Sequence, residues 1–324
     1  MMRPLVLLLA VPALAVLPGC GGDLDGSVSV SGSSTLLPVM SSAAGTFSAA
    51  NPLARVNLEM TGTGAGFTAL CDGIADIAGA SREISEEETA RCEAEGKKVV
   101  RLLLARDALV FFTGAENAQP ACVTLPDLYA LVGPESVGVS RWSEARRLAK
   151  SLGSGTSLPK ARLVVVSPDA ASGTRKLVEE IVVKPSAEKR GKDAAIRQDA
   201  TRVASDQVML AQVVRAPTAL AFAGYATMRP WEGTVRAIEV DGGKGCVAPK
   251  PETIRDNAYP LARSLYMYVN AESLRDDPTV AAFAEQVVAT AAADDEGSVP
   301  LGPEAVSATR DALGAATGGD LTGT

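Results

Sequence analysis

The sequence predicts an α/β protein of two lobes, each built on a largely parallel sheet. Three observations carry that expectation. Apolar strand-like runs alternate with helical runs from Val28 to Phe112 in the order βαβαβ. The alternation resumes after Leu163. The chain, at 324 residues with 47% hydrophobic and 21% charged residues, is long and apolar enough for two cores.

Val28 and Val30 alternate with serines as a first strand. Ser34 or Thr35 is a natural helix cap, and Pro38 suits the first turn of a helix reaching Ala50. Asn51-Pro52 ends it, and 55–60, with alternating Val56 and Leu58, is a second strand. Gly62-Thr63-Gly64-Ala65-Gly66-Phe67 follows. Glycine at every second position keeps side chains away from whatever the backbone approaches. A helix starting at about Phe67 would turn its first unpaired N–H groups toward the same space. Ala75-Asp76-Ile77 opens a third strand, which runs into Ala80-Ser81-Arg82. Ser85-Glu86-Glu87-Glu88 is a capping box heading a helix to about Glu95. Residues 99–104 and 108–112 read as two strands, the second entered by Arg106 and Asp107.

In the second lobe, 124–131 reads as a helix and 144–157 as a helix and then a loop. The strand at 163–166 leads into Ser167-Pro168-Asp169-Ala170-Ala171-Ser172-Gly173-Thr174-Arg175 and a helix through Ile181. The charge-rich stretch 184–202 reads as a solvated helix or loop. A helix at 205–215 and strands at 219–225 and 235–240 complete this lobe. The chain then returns through an extended segment at 265–269, an apolar core helix at 279–293, a connector at 299–302 and a closing helix at 303–313. The domain reading is 27–112 plus 260–316 for lobe 1, 113–259 for lobe 2, and a flexible tail at 317–324.

The N-terminus is a targeting segment. Arg3 precedes an apolar run at 5–16, too short for a membrane span, and Leu17-Pro18-Gly19-Cys20 resembles a bacterial lipobox. Residues 1–19 are therefore read as a lipoprotein signal peptide, with Cys20 lipidated and 20–26 as anchor and linker. The expected location is outside the cytoplasm, anchored to a bacterial membrane. Export gives the remaining Cys71, Cys92, Cys122 and Cys246 reason to pair. Four cysteines allow three connectivities, of which 71–92 with 122–246 is favoured. A metal site is the poorer reading, since the chain has no CxxC spacing and no histidine. The net charge of -7 argues against nucleic acid as a partner. No cofactor is implied.

Four turns share one design: Ser33-Ser34-Thr35, Gly62-Thr63-Gly64, Ala80-Ser81-Arg82 and Ser172-Gly173-Thr174. Each follows a strand and consists largely of hydroxyl or small residues. In a parallel sheet such turns gather at one edge, where ligands bind. Helix N-termini and hydroxyls from both lobes would suit one oxyanion, with Arg82 and, as a second candidate, Arg175 adding bidentate charge-assisted bonds. In the plainer reading, Thr35 and Ser172 are helix caps and Arg82 pairs with Glu83 or Glu86. Arg175 reads as a solvated helix residue, Asp107 as a strand-end turn residue, and Phe67 and Trp142 as packing residues.

Taken in order, these pieces resemble the phosphate-binding proteins of Pst-type ABC importers. The matching stretches are the G-S-S-T, G-T-G-x-G-F and A-S-R loops, Ser172-Gly173-Thr174, residues 241–247 with Cys246, Tyr259-Pro260-Leu261 and Val299-Pro300-Leu301. The resemblance spans almost the whole mature chain. It implies the type II periplasmic-binding-protein fold, with mixed, mostly parallel sheets, a hinge and an interlobe cleft. It implies a monomeric receptor that binds inorganic phosphate for a membrane ABC permease, not an enzyme. The site it implies is Thr35 by hydroxyl and N–H, Leu36 by its N–H, Thr63 by its hydroxyl, and Ser172, Gly173 and Thr174 from the other lobe. Arg82 stands where some members carry an aspartate that accepts a phosphate proton; Asp107 is the candidate replacement. Pro168 stands where some members have an anion-binding arginine, and Arg82 is the candidate to supply that charge. Competing readings are a receptor or sensor for sulfate or molybdate and, less favoured, a serine phosphatase, for which no histidine base exists.

Overall fold

The computed structural model describes residues 24–170, 172–293 and 298–318. The segment 1–19 read as a signal peptide, Cys20 and residues 319–324 of the tail lie outside the described residues. The strands are β1 (Ser27–Gly32), β2 (Arg55–Glu59), β3 (Ile77–Ala80), β4 (Val99–Gly114), β5 (Cys122–Thr124), β6 (Val165–Pro168), β7 (Thr201–Val203), β8 (Leu220–Gly224), β9 (Val235–Ala237), β10 (Glu239–Asp241), β11 (Cys246–Val247), β12 (Ala262–Asn270) and β13 (Val299–Pro300). Eight of them form one path in the order β2-β1-β3-β12-β4-β8-β6-β7, and β13 and β9 also pair with β4.

The two strands expected at 99–104 and 108–112 are one strand of 16 residues. Its first half pairs with β12 and its second half with β8 and β9. β4 thus passes from one lobe into the other. Arg106 and Asp107, read as the entrance to a new strand, sit in the middle of this one. The core divides at the same place. Val30, Met40, Phe47, Ala105, Leu265 and Phe283 belong to one apolar cluster, and Ala108, Phe111, Trp142, Val178 and Phe222 to another. The outer strands pair in parallel, β1 with β2 and β3, and β6 with β7 and β8. The central crossover strands β4 and β12 pair antiparallel, so the sheets are less parallel than expected.

The glycine run folds differently from the expectation. The helix α2 (Thr63–Cys71), which follows α1 (Leu37–Ala50), begins four residues before Phe67. Gly62 stands before it with φ +116°, a conformation that side chains resist. Gly66 has a packing reason, since a Cβ there would lie 2.6 Å from the Cα of Gly32. Backbone thus lies on backbone, and α2 sits close over the end of β1. Phe67, one residue on, is fully buried edge-on against Tyr268, with ring centroids 4.9 Å apart.

Helix α3 (Glu86–Ala94) has the expected capping box, and α4 (Leu125–Val132) has one from Thr124 and Asp127. The stretch 144–157 is a helix and then a loop, as expected, with α5 spanning Arg146–Ser151. Both disulfides are those favoured, Cys71–Cys92 and Cys122–Cys246. The stretch 184–202 is not simply solvated. Ile196 and Arg197 are buried, and the Arg197 guanidinium donates to Asp199 and to the carbonyls of Leu131 and Val139.

Two glycines separate packing from propensity. Gly66→Ala is expected to destabilise the fold by about 1–3 kcal/mol through overpacking. Gly45→Ala, inside α1 with nothing within 4 Å of the new Cβ, is expected to stabilise by about 0.5–1 kcal/mol. Urea unfolding of the two variants checks both signs.

Candidate functional site

The site is best built from β4. Its mid-strand Asp107 faces Arg263 of β12 directly across the antiparallel ladder. The Arg263 Nε and Nη2 both donate to Asp107 Oδ2, at 3.0 and 2.7 Å. Nη2 also donates to Thr35 Oγ1 at 2.9 Å. The pair is nearly dry, with side-chain exposures of 16% for Arg263 and 7% for Asp107. Asp107 Oδ1 and Arg263 Nη1 make none of these bonds.

This group lines a cavity of about 330 Å³ between the lobes. Thr35, in the 3-10 turn Ser34–Leu36, and Pro38, in the first turn of α1, border it, and Gly173, Thr174 and Leu177 from α6 (Gly173–Val178) opposite. Gly173 marks the approach of the lobes, because a Cβ there would meet Ser34 Oγ at 2.9 Å, a contact that rotation of the serine side chain relieves. A second cavity of about 350 Å³ adjoins it, lined by Thr63, Ser81, Arg82, Glu180 and Tyr266. Arg263 and Leu177 border both cavities.

The sequence-derived site residues therefore fall into three groups. Thr35, Asp107, Gly173 and Thr174 share the first cavity. Thr63 and Arg82 line the second. Thr63 Oγ1 accepts the Ser81 N–H at 3.2 Å and shares a hydrogen bond with Ser81 Oγ at 3.1 Å. Leu36 and Ser172 line neither cavity. The Leu36 N–H, expected as a ligand donor, instead closes a turn on the Ser33 carbonyl at 3.0 Å, and its side chain is buried. Ser172 Oγ caps α6 by accepting the Arg175 N–H at 3.4 Å.

Arg82 is tied down rather than open. Its Nη1 and Nη2 donate to the two carboxylate oxygens of Glu88 at 2.7 and 2.8 Å. Its partner is thus Glu88, not Glu83 or Glu86, because the capping box turns Glu88 back toward the start of α3. The hydrogen bond raises the Arg82 pKa and lowers that of Glu88. Arg175, read as solvated, is buried. Its Nε pairs with Glu179 at 3.1 Å and its Nη1 donates to Ser167 Oγ at 3.0 Å.

Arg263 was missed by the sequence reading. It lies two residues beyond Tyr259-Pro260-Leu261, one of the stretches carrying the resemblance. A charged residue at the mouth of the apolar run 265–269 was the available signal. Among the described residues, the acids and cysteines close enough to hold a metal are Cys122, Glu239 and Cys246, whose two cysteines are joined as a disulfide. No helix among the described residues is long and apolar enough to cross a membrane.

A family model described as a PBP superfamily domain matches residues 21–290. The chain belongs to the PBP superfamily. This membership makes it a binding protein rather than an enzyme. Protein SphX of Synechocystis is 29% identical over 303 residues, spanning 91% of this chain and 85% of that protein. The phosphate-binding protein PstS of Staphylococcus epidermidis is 26% identical over 283 residues, spanning 86% of this chain and 78% of that protein. Among solved structures, a possible phosphate binding protein from Planctomyces limnophilus is similar at a TM-score of 0.75 and 28% identity, covering 90% of this chain and 99% of that one. The resemblance drawn from the loop motifs is upheld by relatives carrying that name.

The folded chain holds several carboxylates below their ordinary values. Glu135 is lowered from 4.5 to about 2 by its bond to Arg190, and Asp199 from 3.8 to about 2 by Arg197. Glu88 is lowered by Arg82. A depressed folded pKa gives stability that is present above the unfolded value and is lost as pH falls through the folded one. The melting temperature is therefore expected to hold from pH 7 to about 5 and to drop between about pH 4.5 and 2. Glu135→Gln is expected to flatten that drop in a calorimetric series. An equal slope in both proteins would exclude Glu135 as a contributor.

Proposed function

We propose that the protein is an exported receptor that closes its lobes, 27–112 with 260–316 and 113–259, on inorganic phosphate and passes it to a membrane ABC permease. Lipid anchoring through Cys20 belongs to this reading, supported by the lipobox-like Leu17-Pro18-Gly19-Cys20. The observation that carries it is the Thr35–Arg263–Asp107 group facing Gly173 and Thr174 across a cavity.

The chemistry of that group suits a partly protonated oxyanion. Arg263 Nη1 and the threonine hydroxyls are donors for anionic oxygens. Asp107 Oδ1 is an acceptor-only oxygen in a nearly dry wall. It rewards a ligand that still carries a proton, as hydrogen phosphate does. It repels sulfate, which is fully ionised at neutral pH. The aspartate thereby takes the discriminating role that Arg82, fixed to Glu88, is unsuited to perform.

Isothermal titration checks this directly. Phosphate is expected to bind at least about 10²-fold more tightly than sulfate, since a site built to accept a ligand proton rejects the analogue lacking it. Asp107→Asn is expected to narrow that ratio, because an amide also donates. Arg263→Ala is expected to weaken phosphate by roughly 10- to 150-fold, the loss of a charge-assisted bond worth about 1.5–3 kcal/mol. Heat with sulfate or molybdate and none with phosphate would remove the phosphate assignment while keeping the receptor class.

A further inference from the structure

We propose that the second cavity is a subsite for the alcohol portion of a phosphate monoester, so that the cleft accepts short esters bearing hydroxyl or ammonium groups besides inorganic phosphate. This rests on reading the first cavity as the anion site.

Size is the first argument. Phosphate has five heavy atoms, whereas pockets of roughly 300–1,000 Å³ suit ligands of drug size. The first cavity alone is about 330 Å³, and the second adds about 350 Å³ on the far side of Arg263. An ester with its phosphate by Thr35 and Arg263 would run along the Arg263 side chain into this space.

Wall chemistry is the second argument. A site for a second, fully ionised anion would present donors alone. This cavity instead mixes the hydroxyls of Thr63 and Ser81 with the carboxylate of Glu180. The Glu180 carboxylate accepts no side-chain hydrogen bond among the described residues and acts on Arg82 across the cavity only through its charge, while its neighbour Glu179 is committed to Arg175. The cation across the cavity, Arg82, is neutralised by Glu88. Glu180 therefore remains as an acceptor and disfavours a diphosphate. Hydroxyl and ammonium groups are what it attracts. Leu177, Ile181 and the ring of Tyr266 offer apolar surface for the carbons between them.

The local backbone is the third argument. Leu177, Glu180 and Ile181 are spaced at i, i+3 and i+4, so they share one face of their helix. That helix widens into a π-helical turn over Glu179–Val183. Such turns cost regular hydrogen bonding and recur at functional sites.

The test is titration of the wild type and Glu180→Gln with inorganic phosphate, O-phosphoethanolamine and glycerol 3-phosphate. Circular dichroism establishes that the variant is folded. At least one ester is expected to bind the wild type within tenfold of phosphate. Glu180→Gln is expected to weaken that ester fivefold or more while changing phosphate less than twofold. Esters more than tenfold weaker than phosphate, or an ester-to-phosphate ratio that moves less than fivefold in the variant, would overturn the subsite and leave the phosphate reading intact. If neither phosphate nor ester binds, both readings fail together.

Discussion

The pairing of Arg263 with Asp107 is the constraint on which the cleft depends. It joins β4 and β12, the two long strands that pair at the crossover, at a point one residue before β4 leaves its first partner for the second lobe. Removing two charges from water is costly, and an apolar pair of similar volume would serve stability as well or better. The pair is therefore better explained by what it presents than by what it holds together. Both its hydrogen bonds converge on one carboxylate oxygen, so Asp107 Oδ1 and Arg263 Nη1, on the far edge of the guanidinium, are left out of the pair.

Electrostatics follow from the same arrangement. The chain carries a net charge of -7, so its long-range field opposes an anion. Nor, among the described residues, do the cations lining the cleft stand without a carboxylate partner. Arg263 is balanced by Asp107, Arg82 by Glu88 and Arg175 by Glu179. An anion held there must be held by oriented neutral dipoles together with cations already neutralised. Such a site selects by the direction of each hydrogen bond more than by total charge.

Much of this was legible in sequence where the signal was local. The capping box at Ser85, the hydroxyl turns and the strand alternation at Val28 and Val30 are short-range patterns with a fixed physical meaning. The Glu88 contact was also within reach. A capping-box glutamate points back past its cap, and Arg82 lies three residues upstream of Ser85. What was not legible depended on register between distant strands. Asp107 and Arg263 are separated by 156 residues, and nothing local announces that they share a rung. The merging of two short runs into β4 is likewise a tertiary outcome, because each half needed a different lobe's strands for its ladder. Composition misled at Arg175 and Arg197, where carbonyls, hydroxyls and carboxylates satisfy guanidiniums that a charge count leaves in water.

The two threonines show how the cleft is prepared. Thr35 Oγ1 accepts from Arg263, and Thr63 Oγ1 accepts the Ser81 N–H. A hydroxyl has one proton and two acceptor positions. With a fixed donor occupying one acceptor position, the O–H is turned away from that donor. Thr35 borders the cavity shared with Thr174, and Thr63 borders the second cavity beside Ser81, so these are the spaces within reach of the two hydroxyls. Donors aimed before a ligand arrives lose little entropy when it does. The glycines serve the same end from the backbone side. Gly66 lets α2 settle onto Gly32 so that Thr63 is held at the cleft, and Gly173 lets the opposing lobe reach Ser34 beside Thr35. Close backbone packing thus becomes hydroxyl aim, and hydroxyl aim is what a cleft whose cations are paired has to offer an anion.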